Sequence, residues 1–264
     1  MANEEQPVLL RNDGAVAHIR FNRPQVLNAL NADCAYALLV ACKSVAADTN
    51  NRVVVISGEG RAFMSGGDIG SFGKAMSETN DFFQKLIGVF HESMEILASL
   101  PRPVLASLNG AVAGAGLRVP VSPDLPIAGG EPEITLAYSP RRTSPDGSSS
   151  WSLPRIVGLR KAMEIALLSD VFDAQEAQRL GLVNKVVPAA MLAEETDKFA
   201  KRLASGPTFA YGQIKRLLRQ SHLNSLHDQL ASEGEAFVAC SRTKDFSEGV
   251  AAFVGKRAPS FNGV

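Results

Sequence analysis

Ser107–Asp124, SLNGAVAGAGLRVPVSPD, and the earlier glycine pair in Ala62–Ile69, AFMSGGDI, decide how this chain is read. Both stretches follow an apolar run of strand type. Both put small residues where a backbone must come close to something, and glycine lets main-chain N–H groups meet a ligand with no side chain in the way. One such turn alone reads as a simple connection. Two of them, each after a strand and each opening into a helix-compatible segment, point to a site.

Working outward, Val8–Asn22 reads as two strands around Asn12-Asp13-Gly14, with His18 as a half-exposed strand residue rather than a ligand. Arg23–Asn31, RPQVLNALN, is a loop leading to a helix capped near Asn31, and Ala35, Leu38, Leu39 and Cys42 form its apolar stripe. Arg52–Ser57, RVVVIS, has the continuous apolarity of a strand buried on both faces. Asp81–Leu100 repeats Phe82, Phe83, Leu86, Phe90, Met94 and Leu97 at helical spacing, and Pro101 and Pro103 end it.

Val104–Leu108 is the strand that delivers the opening stretch, and Leu125–Ala128 and Ile134–Tyr138 read as further short strands. Thr143–Ser150 reads as a turn ahead of Trp151, Leu159–Leu168 as a helix, Ala174–Leu180 as a helix capped by Asp173, and Asn184–Val187 as a short strand. From Pro188 to about Lys256 the pattern is helical, broken near Gly206-Pro207. Alternating strands and helices followed by helices alone predict an α/β core, residues 1–200, and a helical C-terminal part, residues 201–264.

The composition excludes several function classes. The 264 residues carry 27 basic and 27 acidic side chains, so no net charge favours broad binding to nucleic acid or an anionic membrane. No apolar run approaches the roughly 20 residues of a membrane span. The opening MANEEQP lacks the features of a signal peptide, and the three cysteines (Cys34, Cys42, Cys240) form neither a metal-ligand spacing nor a disulfide framework, so a reducing cytoplasm is expected. Gly114-Ala115-Gly116 fails the dinucleotide fingerprint because Val119 stands at the third glycine position, and no P-loop, zinc motif or G-x-S-x-G elbow occurs. What remains is paired backbone donors with an acid–base side chain.

At this point the chain resembles the enoyl-CoA hydratase/isomerase, or crotonase, family. The resemblance runs from the first hairpin and RPQVLNALN through RAFMSGGDI and PRPVLASLNGAVAGAGL to SPDGSSSWSLPRIVG, AQRLGLVNKVV and EGVAAFVGKRAPSF. It implies a spiral of ββα repeats, a helical C-terminal trimerisation region, a homotrimer or dimer of trimers, and an acyl-CoA thioester substrate. No metal and no cofactor is implied beyond the coenzyme A of that substrate. It further implies that two backbone N–H groups, at Gly67 and Ala115, hold the thioester oxygen as it becomes an enolate. Preorganised amides of this kind act on charge that develops in the transition state, and one is typically worth about 3 kcal/mol in the barrier.

The resemblance also assigns substrate contacts to Gln25, Val26, Leu27, Gly66, Asp68, Ile69, Gly114, Tyr138, Phe253 and Lys256. Outside the resemblance, Phe253 reads as ordinary helix packing and Lys256 as a solvated surface charge.

The acid–base positions depart from the hydratase pattern. The two glutamates of a typical hydratase correspond to Arg118 and Tyr138, and neither is a carboxylate. Asp146, in SPDG, corresponds to the catalytic aspartate of isomerases in the family; by itself the same tetrapeptide reads as an ordinary β-turn. A single carboxylate suffices for a 1,3-proton shift. His91 and Asp146 together also resemble the dehalogenating members, which however carry tryptophan at the Tyr138 position; on its own His91 reads as a helix residue with a local partner.

Pro120, Pro123, Pro126 and Pro132 depart from the family again. Pro120 is expected to shorten or tilt the helix after Ala115, because proline inside a helix costs about 3 kcal/mol. Arg141-Arg142 replaces an expected turn. Isomerisation of an enoyl-CoA or ring-bearing acyl-CoA leads the expectations. Hydration by an atypical route, or a catalytically silent acyl-CoA-binding oligomer, stands beside it.

Overall fold

The computed structural model describes residues 6–75, 81–114, 116 and 124–263. Ala115, Arg118, Pro120 and Pro123 lie outside them. The chain opens with the expected hairpin, β1 (Val8–Asp13) and β2 (Val16–Phe21), closed by Gly14 and Ala15 with Gly14 at φ 57°. Helix α1 (Ala32–Ala47) begins where the Asn31 side chain accepts from the Cys34 N–H at 2.9 Å, and its expected apolar stripe is buried. Strand β3 (Val53–Gly58) returns parallel to β2, the pairing that a crossover through a helix allows.

From β3 onward the chain repeats one manoeuvre. Each pass lays one strand in a large sheet and the next strand in a small one stacked beside it. β3 is followed by β4 (Ala62–Met64), β5 (Val104–Leu108) by β6 (Ala111–Ala113), and β7 (Leu125–Gly129) by β8 (Ile134–Thr135). Among the described residues the large sheet has the order β1-β2-β3-β5-β7-β9, with β9 at Lys185–Val187, and the small one β4-β6-β8; every pairing between these strands after the hairpin is parallel. This is the expected spiral of ββα repeats.

Glycines sit where the chain turns from one sheet to the other. A Cβ on Gly110 would come within 2.0 Å of the Arg61 carbonyl oxygen, so any larger residue would force the β5–β6 turn away from the β3–β4 turn beside it. The Val53–Ser57 run reads as continuously apolar because it sits at the centre of a parallel sheet. Between the layers Phe21 and Phe63, both fully buried, meet edge to face at 5.9 Å.

Helices α2 (Ile69–Ala75) and α3 (Phe82–Ser99) follow β4, and α3 packs along α1 through Leu86, Phe90, Met94 and Leu97. After β8 come α4 (Ser149–Val157), α5 (Leu159–Leu168) and α6 (Ala174–Arg179), the last capped as expected by Asp173. Helix α7 (Leu192–Ala204) covers the outer face of the large sheet, where Ala200 joins Val16, Val53, Val55 and Leu105. The expected division at residue 200 falls inside this helix.

Helices α8 (Thr208–Gln220), α9 (Leu226–Ser241) and α10 (Lys244–Val254) complete the chain. Lys215 of α8, its side chain only 9 % exposed, ties that helix to the core. Its ammonium donates to the carbonyls of Leu97 and Arg102 and pairs with Asp124 at 2.9 Å; burial pushes its pKa down, and Asp124 opposes that shift. No helix among the described residues is long and apolar enough to cross a membrane.

Three local expectations are corrected. The strand expected over Ile134–Tyr138 stops at Thr135: Ala137 takes a left-handed backbone (φ 49°), and Tyr138 caps a 3-10 turn at Ser139–Arg141. The turn expected over Thr143–Ser150 already contains the first residues of α4. The short strands β4 and β6 lie hidden inside the two glycine-rich stretches, too short for a period-two pattern to register.

Candidate active site

The two glycine-rich stretches meet at one cavity of about 490 Å³, open on one side. Its apolar wall includes Leu30, Ile69, Phe72, Phe83, Leu86 and Phe90, with the Phe72 and Phe83 rings edge to face at 5.3 Å. Its polar side includes Gly67, Gly114, Tyr138, Thr143, Ser144 and Asp146. Asp146 is the sole carboxylate among these lining residues.

Gly67 is held by a short parallel bridge to the loop before α1. The Leu30 N–H donates to the Gly66 carbonyl at 2.7 Å, the Asp68 N–H donates to the Leu30 carbonyl at 2.9 Å, and the Ser65 N–H donates to the Leu27 carbonyl at 3.0 Å. In this pattern the Gly67 N–H is left over, and it has no acceptor among the described residues. An amide without a partner at the wall of an apolar cavity is expensive unless water or a ligand oxygen accepts from it.

Asp68 locks the next step of the chain. Its carboxylate pairs with the Arg23 guanidinium at 3.0 Å and accepts from the Ser71 N–H at 3.2 Å, which fixes the start of α2 directly behind Gly67. Arg23 also donates to the Ala29 carbonyl. Beside it Asn28 is fully buried with φ 57°; its side-chain oxygen accepts from the Arg23 N–H at 2.8 Å, and its amide donates to the carbonyls of Ala62 at 2.8 Å and Glu59 at 3.0 Å. Gly116 fits the second glycine-rich stretch against β4, because a Cβ there would meet the Met64 carbonyl oxygen at 2.0 Å.

Asp146 stands on a loop between the 3-10 turn and α4. The Tyr138 hydroxyl donates to its Oδ1 at 2.6 Å. The next residue, Gly147 (φ 54°), donates its N–H to Nε2 of His91 on α3 at 2.9 Å, and the Ser149 N–H donates to the Asp146 carbonyl at 3.2 Å. His91 therefore presents an acceptor nitrogen to the backbone, so the neutral ring carries its proton on Nδ1. Cys34, in the first turn of α1, is buried, and burial pushes its thiol pKa up to about 12, with the Arg23 charge opposing only part of that shift.

Of the residues singled out in the sequence, Gly67, Ile69, Gly114, Tyr138 and Asp146 line this cavity, with Gly66 and Asp68 flanking Gly67. Gln25 and Val26 belong to a 3-10 turn that is continuous with Leu27, and the Leu27 carbonyl reaches the Gly66–Gly67 loop; none of the three lines the cavity. Phe253 and Lys256 are not brought to it within one chain. Phe253, 86 % exposed, borders a separate apolar hollow of about 370 Å³ with Phe246 and Phe261, and Lys256 is exposed at the end of α10. Ala115 and Arg118 lie outside the described residues.

The sequence reading missed Arg23, Asn28 and the aromatic wall of Phe72 and Phe83. A polar amide and a guanidinium inside RPQVLNALN, between apolar neighbours, were the available signal for the first two. The wall depends on where α2 and α3 come to lie.

A family model described as enoyl-CoA hydratase/isomerase matches residues 11–264. The chain belongs to this family. It is 32 % identical over 259 residues to a 1,2-epoxyphenylacetyl-CoA isomerase of Escherichia coli K12, covering 97 % of this chain and 98 % of that one. It is 35 % identical over 248 residues to a probable enoyl-CoA hydratase of Rhodobacter capsulatus, covering 94 % of this chain and 95 % of that one. Among solved structures, an enoyl-CoA hydratase/isomerase family protein of Mycobacterium abscessus superposes with a TM-score of 0.93 at 33 % identity, over 97 % of this chain and all of that one.

The chain is thus an acyl-CoA enzyme of the enoyl-CoA hydratase/isomerase family, and relatives of comparable identity carry both isomerase and hydratase names.

Proposed function

We propose that the protein isomerises an enoyl-CoA, or a ring-bearing acyl-CoA, through an enolate held at backbone amides, with Asp146 as the acid–base group. The observation that carries this reading is the meeting of a Gly67 N–H that has no acceptor among the described residues and one carboxylate, Asp146, across a single apolar cavity.

The thioester oxygen accepts from the Gly67 N–H, and from Ala115 by the family resemblance. Asp146 takes a proton from an allylic carbon while negative charge moves onto that oxygen. The same carboxyl returns the proton to a different carbon. The apolar wall excludes water, which strengthens the amide–oxyanion contact and keeps the proton on the carboxyl between the two transfers.

Hydration needs a second group to activate water. The side chain at one of the two positions where a hydratase has its glutamates is a phenol, Tyr138, already engaged with Asp146. Dehalogenation by His91 and Asp146 is disfavoured on similar grounds, since His91 Nε2 is occupied by a backbone N–H. The same reading takes coenzyme A only as part of the substrate and the protein as cytoplasmic.

The test is turnover of 3-enoyl-CoA and ring-bearing acyl-CoA substrates by the protein and by Asp146→Asn. Loss of a positioned acid–base group is expected to lower kcat by about 10²–10⁴-fold, with thioester binding retained. Full activity in Asp146→Asn would falsify the assignment. Efficient water addition to crotonyl-CoA would favour hydration instead, and thioester binding without turnover across the panel would favour a silent acyl-CoA-binding protein.

A further inference from the structure

The Asp146 loop has no strand or helix of its own to hold it. Between β8 and α4 the backbone passes through left-handed conformations at Ala137 (φ 49°), Arg142 (φ 58°), Gly147 (φ 54°) and Ser148 (φ 76°). Non-glycine residues adopt that region only when surrounding contacts over-determine the chain, and such strain gathers where geometry matters. Here the contacts come from two directions. From α3, His91 accepts the Gly147 N–H and so fixes the backbone on the far side of Asp146. From the start of the Ser139–Arg141 turn, the Tyr138 hydroxyl donates to Asp146 Oδ1 at 2.6 Å and so fixes the carboxylate itself.

Tyr138 is suited to hold something. Its side chain is 7 % exposed and packed in the main core cluster, so the ring has no freedom to swing. Its own backbone caps the Ser139–Arg141 turn and accepts from the Thr143 N–H at 3.3 Å, which links it to the strand side of the loop it restrains. An aspartate on a loop has two side-chain torsions to lose. A phenol anchored in the core removes that freedom before substrate arrives, which is what a proton shuttle between two carbons needs.

We propose that Tyr138 is a positioning residue for Asp146. Its hydroxyl sets the direction of the carboxylate toward the acyl chain and leaves binding of the thioester to other groups. The same bond favours one-carboxylate chemistry, since the side chain standing at a hydratase glutamate position is a phenol whose O–H donates to Asp146. This inference rests on the acid–base reading of Asp146.

The experiment compares Tyr138→Phe and Asp146→Asn with the unaltered protein, using an isomerisable 3-enoyl-CoA. Tyr138→Phe keeps the buried ring and removes one oxygen, so the melting temperature checks that the fold is retained. A misdirected carboxylate is expected to lower kcat about ten- to a hundredfold, with KM within twofold.

An unchanged kcat in Tyr138→Phe, beside an inactive Asp146→Asn, overturns the positioning role and leaves the acid–base reading standing. A rise in KM equal to the loss in kcat/KM also overturns it, because Tyr138 would then be a substrate contact. An active Asp146→Asn removes the reading on which the inference rests.

Discussion

At the scale of single residues, the site depends on side chains that never touch its cavity. Asn28 uses its side chain on three partners, the Arg23 N–H in its own loop and the carbonyls of Glu59 and Ala62 at the entry to β4, the strand that leads to Gly66 and Gly67. An alanine there would take away the 2.8 Å bond to the buried Ala62 carbonyl, which the Asn109 amide meets only at 3.5 Å, and would put a Cβ without local hydrogen bonding into a left-handed backbone. Asn28→Ala is expected to destabilise the protein by about 1–3 kcal/mol, measured as a shift of the denaturant midpoint with unchanged slope. A midpoint indistinguishable from the parent would mean that water replaces the lost bonds at no cost.

The Arg23–Asp68 pair belongs to the same scale. Both side chains are less than a fifth exposed, and the pair stands directly behind the amide assigned to the enolate. Its value is geometric, since half-buried ion pairs return much of their attraction as desolvation.

At the scale of elements, short pieces of regular structure hold the loops that matter. Strands β4, β6 and β8 have two or three residues each, yet they present the glycine-rich ends on one side of the molecule. The last helix is fastened differently. Glu248 on α10 accepts a fork of two bonds from Arg257, at 2.6 and 2.8 Å, and a third from the Ser260 N–H at 2.8 Å. The Arg257 bonds, followed by the Ser260 bond, hold its carboxyl pKa down at about 2.

A carboxyl depressed in the folded state stabilises the tail above its ordinary value of 4.5 and loses that contribution as pH falls toward 2. An NMR titration of the Glu248 carboxyl is expected to show a midpoint well below 4.5, and Arg257→Gln is expected to raise it. A midpoint indifferent to Arg257 would contradict the assigned cause.

At the scale of the whole molecule, the parallel sheets and their covering helices account for the core, but α8 to α10 bury little. Leu218, Leu226, Phe253 and Val254 are 67–86 % exposed, apolar side chains of the kind that an interface between copies would cover. Light scattering on the purified protein is expected to give three or six chains per particle; a monomer would overturn the trimeric expectation.

Much of this was legible in the sequence. The hairpin at Val8–Phe21, the Asn31 and Asp173 caps and the α3 stripe follow from local rules, because caps and periodicities are satisfied within one or two turns of chain. The two glycine stretches already pointed to backbone donors. Other features were not legible. A strand ending at Thr135 rather than Tyr138 reflects a left-handed alanine that only surrounding contacts can stabilise. The Tyr138–Asp146 bond spans eight residues of irregular chain, the Gly147–His91 bond joins segments 56 apart, and the unpartnered Gly67 N–H exists only because the Leu30 bridge uses its neighbours.

The sequence by itself determined the family, the spiral of strands and helices and the residue types available for proton transfer, since these rest on motif order and hydrophobic period. Only the tertiary structure decided which of those residues share a cavity and what restrains the carboxylate among them. Such pairings join segments distant in the chain, and burial and hydrogen-bond geometry select them once the layers have packed.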